Sequence, residues 1–205
     1  MTACRGRCMG TENASLFSAI APVYGLFYRY QLNRFRKLLA PDAMPLALDG
    51  FTSVIDIGCG TGALCAALKE RGLTVSCVDR APGMLAVARK RPGNAGIRFS
   101  LGNALTGLDF PEKAFDIAIA SHVAHGLEAP DRQALYREMA RLARHYVLLY
   151  DYFDNNAPLT ALIERMEGGD YFRFIKDAPQ ELSALFPEVQ MAQAGKRSGW
   201  YICRL

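Results

Sequence analysis

The segment VIDIGCGTG, Val54 to Gly62, runs from a short apolar stretch into three glycines and then into a helical pattern. Glycines at this spacing turn the chain tightly from strand to helix. They also let backbone amides approach a ligand, with a helix N-terminus behind them. Gly58, Gly60 and Ala63 also satisfy a dinucleotide fingerprint, and Asp79 follows at about the distance of a ribose-binding acid. The glycines therefore leave the ligand open. Asp56, just before the first glycine, narrows the choice. Its carboxylate is unwelcome beside a doubly negative pyrophosphate and welcome beside an ammonium or the N–H groups of the turn. A sulfonium cofactor with a methionyl ammonium, S-adenosylmethionine, fits; NAD fits poorly.

Methyl transfer from a sulfonium asks the protein to align nucleophile, carbon and leaving sulfur and to exclude water. A base is needed only where the acceptor must first lose a proton. The candidates are His122 and His125, just past the fourth strand, and Asp151 with Tyr152, just past the fifth. All fall at carboxyl ends of strands, where open α/β sheets place their sites. Ser121 and His122 are also candidates for backbone contact to the cofactor. His145 reads as a surface residue and Asp116 as a structural one at the far end of its strand.

The elements that position these residues alternate. Strands are predicted at Ser53–Ile57, Thr74–Asp79, Ile97–Leu101, Ala114–Ala120 and Tyr146–Tyr150. Helices are predicted at Thr61–Arg71, Pro82–Arg91 and Asp131–Ala143. Strands alternating with helices make right-handed βαβ units and a parallel sheet. Pro179–Phe186 reads as a further helix. Val189–Ala194 and Trp200–Arg204 then flank a Gly-containing loop, so the last strand is expected to be antiparallel. Ser15 to Ala40 is helical and rich in aromatics, with a predicted break at Pro22 and Gly25, and leads into a linker at Pro41, Asp42 and Pro45. The organisation expected is a flexible N-terminus over 1–14, a helical lid over 15–50 and a cofactor-binding domain over 51–205.

At 205 residues, with 51% hydrophobic and 21% charged, the chain is long and apolar enough for one well-formed domain, which excludes disorder. A net charge of +4 is too small to argue for nucleic acid. No apolar run reaches the roughly 18 residues of a membrane span. Arg5, Arg7 and the stretch SLFSAIAPVYGLF make only a faint leader pattern, with Glu12 interrupting it and no A-x-A site after it. A cytoplasmic location without stable membrane association is expected. The six cysteines form no disulfide framework. Cys59, Cys65 and Cys77 read as buried thiols, and Cys4 and Cys8 as part of a flexible tail. No metal site is expected.

VIDIGCGTG resembles motif I of the class I S-adenosylmethionine-dependent methyltransferases, and four further segments follow in that family's order. VSCVDRAPGML resembles the second motif, SLGNAL the third and FDIAIASHVAHGL the fourth-strand motif; Ala21-x-x-Tyr24 resembles the start of the ubiquinone/menaquinone-biosynthesis type. The resemblance covers roughly Ala21 to Asp151. It implies a Rossmann-like three-layer α/β sandwich, with a seven-stranded, mostly parallel sheet, an antiparallel last strand and an N-terminal helical lid. It also implies a cofactor-binding set of Tyr24, Asp56, Gly58, Cys59, Gly60, Gly62, Asp79, Arg80, Met84, Asn103, Ala104 and Ser121. In that set Asp79 takes the ribose, Met84 lies beside the adenine and Asn103 meets its amino group. Asn103 stands where the family usually has Asp, Gly25 replaces a frequent Asp, and Ala81 replaces a capping Ser at a local cost of about 1 kcal/mol. The motifs of DNA-base methyltransferases are absent.

The activity implied is methyl transfer to a small-molecule acceptor, releasing S-adenosylhomocysteine, by a monomer or homodimer. A non-catalytic S-adenosylmethionine-binding protein and a nicotinamide oxidoreductase are the alternatives. Acceptor identity is expected to lie in Ser15–Pro45 and Asp151–Lys176. Their aromatics, including Tyr152, Phe153, Tyr171, Phe172 and Phe174, line an apolar pocket or form the lid's own core. Arg29, Arg34, Arg36 and Lys37 meet either solvent or an anionic substrate.

Overall fold

Alternate residues of the central strands face two different cores. In β7 (Ser198–Arg204), Trp200 and Ile202 join one cluster while Tyr201 and Cys203 join the other. In β5 (Ala143–Tyr152), Leu148 and Tyr150 oppose Val147 and Leu149 in the same way. Strands apolar on both faces must be covered on both, and that requirement sets the three layers.

The computed structural model describes residues 9–153 and 171–205. The remaining strands are β1 (Ser53–Ile57), β2 (Thr74–Asp79), β3 (Arg98–Leu101), β4 (Phe115–Ser121) and β6 (Glu188–Gln193). They form one seven-stranded sheet in the order β3-β2-β1-β4-β5-β7-β6. β1 to β5 pair in parallel, and β7 runs antiparallel to both β5 and β6, as the hairpin reading predicts. Helices α2 (Tyr28–Leu38), α3 (Ala63–Glu70) and α4 (Pro82–Arg89) lie over one face. α5 (Ala129–Leu142) and α6 (Tyr171–Leu185) lie over the other, through Leu135, Met139, Phe174 and Leu182. Fully buried Arg132 ties these two helices, donating to both carboxylate oxygens of Glu181 at 2.9 and 2.6 Å and to the Leu127 carbonyl at 2.8 Å.

Several boundaries differ from the sequence reading. Helix α1 (Met9–Leu26) begins inside the stretch expected to be flexible and runs through Pro22; the break comes at Phe27. Pro22 can supply no N–H to Ser18, and this turn is packed against α4, where Gly83 donates to Ser18 Oγ at 3.3 Å. α6 starts earlier than Pro179 and contains it. β5 begins before the predicted Tyr146, so His145 lies inside the strand, exposed and against Phe51, while Asp151 and Tyr152 are its last residues. Cys65 and Cys77 are not separate thiols: α3 and β2 bring their Cα atoms to 6.9 Å and the sulfurs are paired as a disulfide. Among the described residues Cys59 and Cys203 are buried and have no disulfide partner. Cys4 and Cys8, and most of the segment after β5, lie outside the described residues.

Asp116 is structural, as expected. It accepts from the N–H and hydroxyl groups of Thr52 and Ser53 at 2.8–3.1 Å and from Arg144 at 3.1 Å. Burial alone would raise its pKa, but these donors outweigh it and hold the carboxyl well below its ordinary range.

Candidate active site

Crossovers leave β1 and β4 in opposite directions along the sheet, opening a crevice at the strands' carboxyl ends, the usual place for a ligand in an open α/β sheet. The crevice is a cavity of about 1210 Å³ floored by the glycine turn and bounded by the ends of β2, β4 and β5 and by α1 and α2. Eleven of the twelve residues expected to bind a cofactor line it: Tyr24, Asp56, Gly58, Cys59, Gly60, Asp79, Arg80, Met84, Asn103, Ala104 and Ser121. Gly62 does not. It sits behind the turn at φ +77°, where a Cβ would lie 2.5 Å from Asn94 Nδ2 and 3.0 Å from Phe99. The position needs glycine for packing of α3 against the neighbouring loop.

The turn is internally satisfied. The Gly58 and Cys59 amides donate to the Val78 carbonyl at 2.8 and 3.1 Å, Gly60 donates to Asp79 Oδ2 at 2.8 Å, and Gly62 donates to the Cys59 carbonyl at 2.9 Å. None of these four is left for a pyrophosphate. Gly58 adopts φ +76°, and a Cβ there would lie 2.5 Å from Val123 Cγ2.

Asp79 also accepts the N–H of Ala81, the residue just before α4, through Oδ1 at 2.8 Å, while among the described residues no side chain caps the helix start itself. Burial raises its pKa, and the Ala81 and Gly60 amides offset only part of that. Asn103 Oδ1 accepts the Leu105 N–H at 3.1 Å, which shapes the loop after β3 while its residue lines the cavity.

Asp56 is 1% exposed, and among the described residues its Oδ1 has no hydrogen-bond partner. Cys65 Sγ lies 3.1 Å from the other oxygen. Burial, with the Asp79 charge adding to it, pushes the Asp56 pKa up to about 8. A buried acceptor without a donor is costly. One at the foot of a ligand cavity is suited to a donor carried by the ligand, and best to a cationic one. The pattern matches an ammonium and disfavours a polyphosphate, so the residues present fit S-adenosylmethionine.

At the other end of the cavity the three acid–base candidates come together. His125 Nδ1 lies 2.7 Å from Asp151 Oδ1, and His122 Nδ1 lies 3.7 Å from the same oxygen. Asp151 is buried behind them and does not line the cavity; it also accepts the Tyr152 amide at 2.8 Å and the Ala124 amide at 3.1 Å. Burial would raise its pKa, but the histidines and these amides bring it below the ordinary value. An ionised Asp151 fixes the proton of His125 on Nδ1, which leaves the lone pair on Nε2. His122 takes φ 53°, rare for a non-glycine residue. Burial lowers its pKa to about 4 against the opposing pull of Asp151, so it is neutral near pH 7. Tyr152 packs edge-on against His125 with ring centroids 4.7 Å apart.

The neighbouring wall belongs to the segment expected to set acceptor identity, with Arg34 among its named cations, but Gln31 was not singled out in the sequence. Arg34 reaches the Tyr150 hydroxyl at 2.8 Å, and Gln31 meets Thr61 Oγ1 at 3.3 Å. The available signal was the recurrence of Tyr24, Phe27, Gln31 and Arg34 every three or four residues, one face of a helical stretch. Of the aromatics assigned to the acceptor segments, Phe174 is buried in the core beneath α6, edge-on to Tyr201.

Residues 54–145 match a protein family described as a methyltransferase domain. The chain is 37% identical over 91 residues to the malonyl-(acyl-carrier protein) O-methyltransferase of Serratia marcescens, covering 44% of this chain and 34% of that protein. It is 32% identical over 137 residues to the demethylmenaquinone methyltransferase of Renibacterium salmoninarum, covering 65% of this chain and 54% of the relative. The chain thus spans from about a third to about half the length of the curated relatives it matches. Among solved structures, a protein of Pyrococcus horikoshii OT3 has a TM-score of 0.65 at 19% identity, over 84% of this chain and 89% of that one. The magnesium protoporphyrin IX methyltransferase of Synechocystis PCC 6803, solved with bound SAH, has a TM-score of 0.60 at 18% identity, over 86% and 82%. These two likenesses show the fold. The sheet order and the glycine turn agree with the match of residues 54–145 to a methyltransferase domain.

Proposed function

We propose that the protein transfers a methyl group from S-adenosylmethionine to a small-molecule acceptor and releases S-adenosylhomocysteine. The observation that carries this reading is the unpartnered, buried Asp56 oxygen beneath a turn whose own amides are already bonded. Asp56 takes the ammonium end, Asp79 the ribose hydroxyls, and Met84, Asn103 and Ala104 the base. The bound cofactor supplies an electrophilic methyl carbon. His125, held by Asp151, removes a proton from the acceptor where the acceptor carries one, and His122 is a neutral wall of the same chamber. α1 and α2 roof the cleft and exclude water. The relatives named for ubiquinone biosynthesis and for demethylmenaquinone support an acceptor that is a small molecule, and the modest net charge supports no nucleic-acid partner. Among the described residues no helix is long and apolar enough to cross a membrane. A cytoplasmic monomer or homodimer is part of the same proposal, as is the division into an N-terminal helical lid and a cofactor-binding domain.

The test is a thermal shift with S-adenosylmethionine, S-adenosylhomocysteine and NAD, each at about 100 times its dissociation constant. Binding at that excess adds about 2.7 kcal/mol, or roughly 5–10 °C for a chain of this size. Stabilisation by both adenosyl ligands and not by NAD is expected; stabilisation by NAD alone overturns the reading. A shift without turnover of any acceptor would identify a binding protein instead.

A further inference from the structure

Beside the histidines, between α1, α2 and the end of β5, lies a second cavity of about 420 Å³ that shares Arg34 and His122 with the first. Its walls are aromatic and apolar, among them Tyr24, Phe27, Tyr30, Phe35 and Tyr150. Among the described residues one cation, Arg34, lines it. Arg34 donates to two neutral hydroxyls, Tyr150 at 2.8 Å and Ser198 at 3.5 Å. Among the described residues no carboxylate lies within salt-bridge distance of it. Arg36, two residues on, points elsewhere and is neutralised by Glu70 through two bonds of 2.7 Å. The Tyr150 hydroxyl accepts from Arg34, and among the described residues nothing accepts its own proton. Arg34 is exposed and its guanidinium also lies over the Tyr150 ring at 5.7 Å; with the undirected Tyr150 hydroxyl proton beside it, it offers a pair of donors suited to an acceptor with two lone-pair oxygens. Lys196 and Arg197, on the β6–β7 loop, add positive charge at the rim of the adjoining cleft.

Resting on the methyltransferase reading above, we propose that the acceptor is a hydroxyaryl carboxylate. Its ring lies among the aromatic walls, its carboxylate is held by Arg34 and Tyr150, and its hydroxyl is presented to His125. A guanidinium fork matches a planar carboxylate, and the bond is charge-assisted in a largely apolar chamber. His122 touches both ends: its ring centroid lies 5.2 Å from that of Tyr150 and 6.0 Å from that of His125. In the transfer the hydroxyl proton passes to His125 Nε2 and an oxygen lone pair forms the O–CH3 bond. The sulfur–methyl bond breaks with its electron pair going to sulfur, which becomes a neutral thioether.

The test is calorimetric titration of the full chain, with and without S-adenosylhomocysteine, using para-hydroxybenzoate and para-hydroxycinnamate against their amides, and phenyl phosphate. The carboxylates are expected to bind at least about tenfold more tightly than the amides. Arg34→Gln removes that preference, Arg34→Lys restores part of it, and Arg36→Gln leaves it intact. Equal binding of carboxylate and amide, a preference that survives Arg34→Gln, or no binding of either overturns the proposal. Tighter, Arg34-dependent binding of phenyl phosphate overturns the carboxylate in favour of a phosphate ester. S-adenosylhomocysteine titrated alone reports on the cofactor reading separately, so failure of one is distinguishable from failure of the other.

Discussion

Replacing Asp79 by Ala perturbs two things that can be measured apart. In the ligand-free protein Asp79 joins the glycine turn to the start of α4, accepting from Gly60 and Ala81, both at 2.8 Å. Hydrogen bonds to a charged group contribute about 1.5–3 kcal/mol each. Burial raises the Asp79 pKa, so desolvation of the carboxylate offsets much of that gain. A net loss of about 1–3 kcal/mol is therefore expected, or roughly 2–12 °C in Tm at about 2–4 °C per kcal/mol. With the ribose, the two hydroxyl bonds lost correspond to about 3–6 kcal/mol, a weakening of S-adenosylhomocysteine by roughly 10²- to 10⁴-fold. Asp79→Asn keeps the shape, removes the charge and is expected to fall between Ala and wild type. Thermal melts read the first effect and titration calorimetry the second. Affinity within about threefold of wild type in a folded Asp79→Ala protein would refute the ribose assignment. An unchanged Tm would refute the bracing role of the carboxylate.

Other consequences follow from the same geometry. His125→Ala and Asp151→Asn are each expected to lower kcat by about 10²- to 10⁴-fold for a hydroxyl acceptor while S-adenosylhomocysteine affinity stays within a fewfold; total loss of cofactor binding would move His125 from acceptor chemistry to cofactor binding. Gly58→Ala, at φ +76° and 2.5 Å from Val123, is expected to cost about 1–3 kcal/mol and to weaken the cofactor, as read by melting with and without ligand. Arg132→Met strands Glu181 in the α5–α6 contact and is expected to cost about 2–5 kcal/mol in denaturant unfolding; a loss below about 1 kcal/mol would show the pair to be dispensable. Asp56, with its pKa raised to about 8 from an ordinary 3.8, keeps a proton in the folded state that the unfolded chain gives up. Its stabilising contribution is thus present at low pH and is lost as pH rises from about 4 through about 8, with a slope of at most about 1.4 kcal/mol per pH unit. A cationic cofactor draws that proton off, so affinity rises with pH through about 8, and Asp56→Asn flattens the profile. A wild-type profile that is already flat between about pH 6 and 9 contradicts this account.

The sequence was most legible where function depends on contiguous residues. A strand ending in spaced glycines, an acid before them and another at the end of the next strand are local patterns, and eleven of the expected twelve residues line one cavity. Gly62 departs because its role is set by Asn94 and Phe99, which the spacing of the motif cannot report. Helix boundaries were less legible. Pro22 is a strong local stop signal, but α1 passes through it at a turn packed on α4, a tertiary contact that overrides propensity. The disulfide between Cys65 and Cys77 likewise follows from the way α3 lies on β2 rather than from the spacing of cysteines.

Alone, the sequence determined the period of its strands and helices, the parallel order with an antiparallel last strand, and the site at the strand ends, because periodicity and turn chemistry act over a few residues. Tertiary structure decided which donors and acceptors were already spent. It bonded the turn amides to Val78 and Asp79, left one oxygen of Asp56 without a donor, put Asp151 behind His125, and brought Arg34 across 116 positions to Tyr150. Whether a polar group is satisfied depends on everything within about 3 Å of it, and most of those neighbours come from distant parts of the chain.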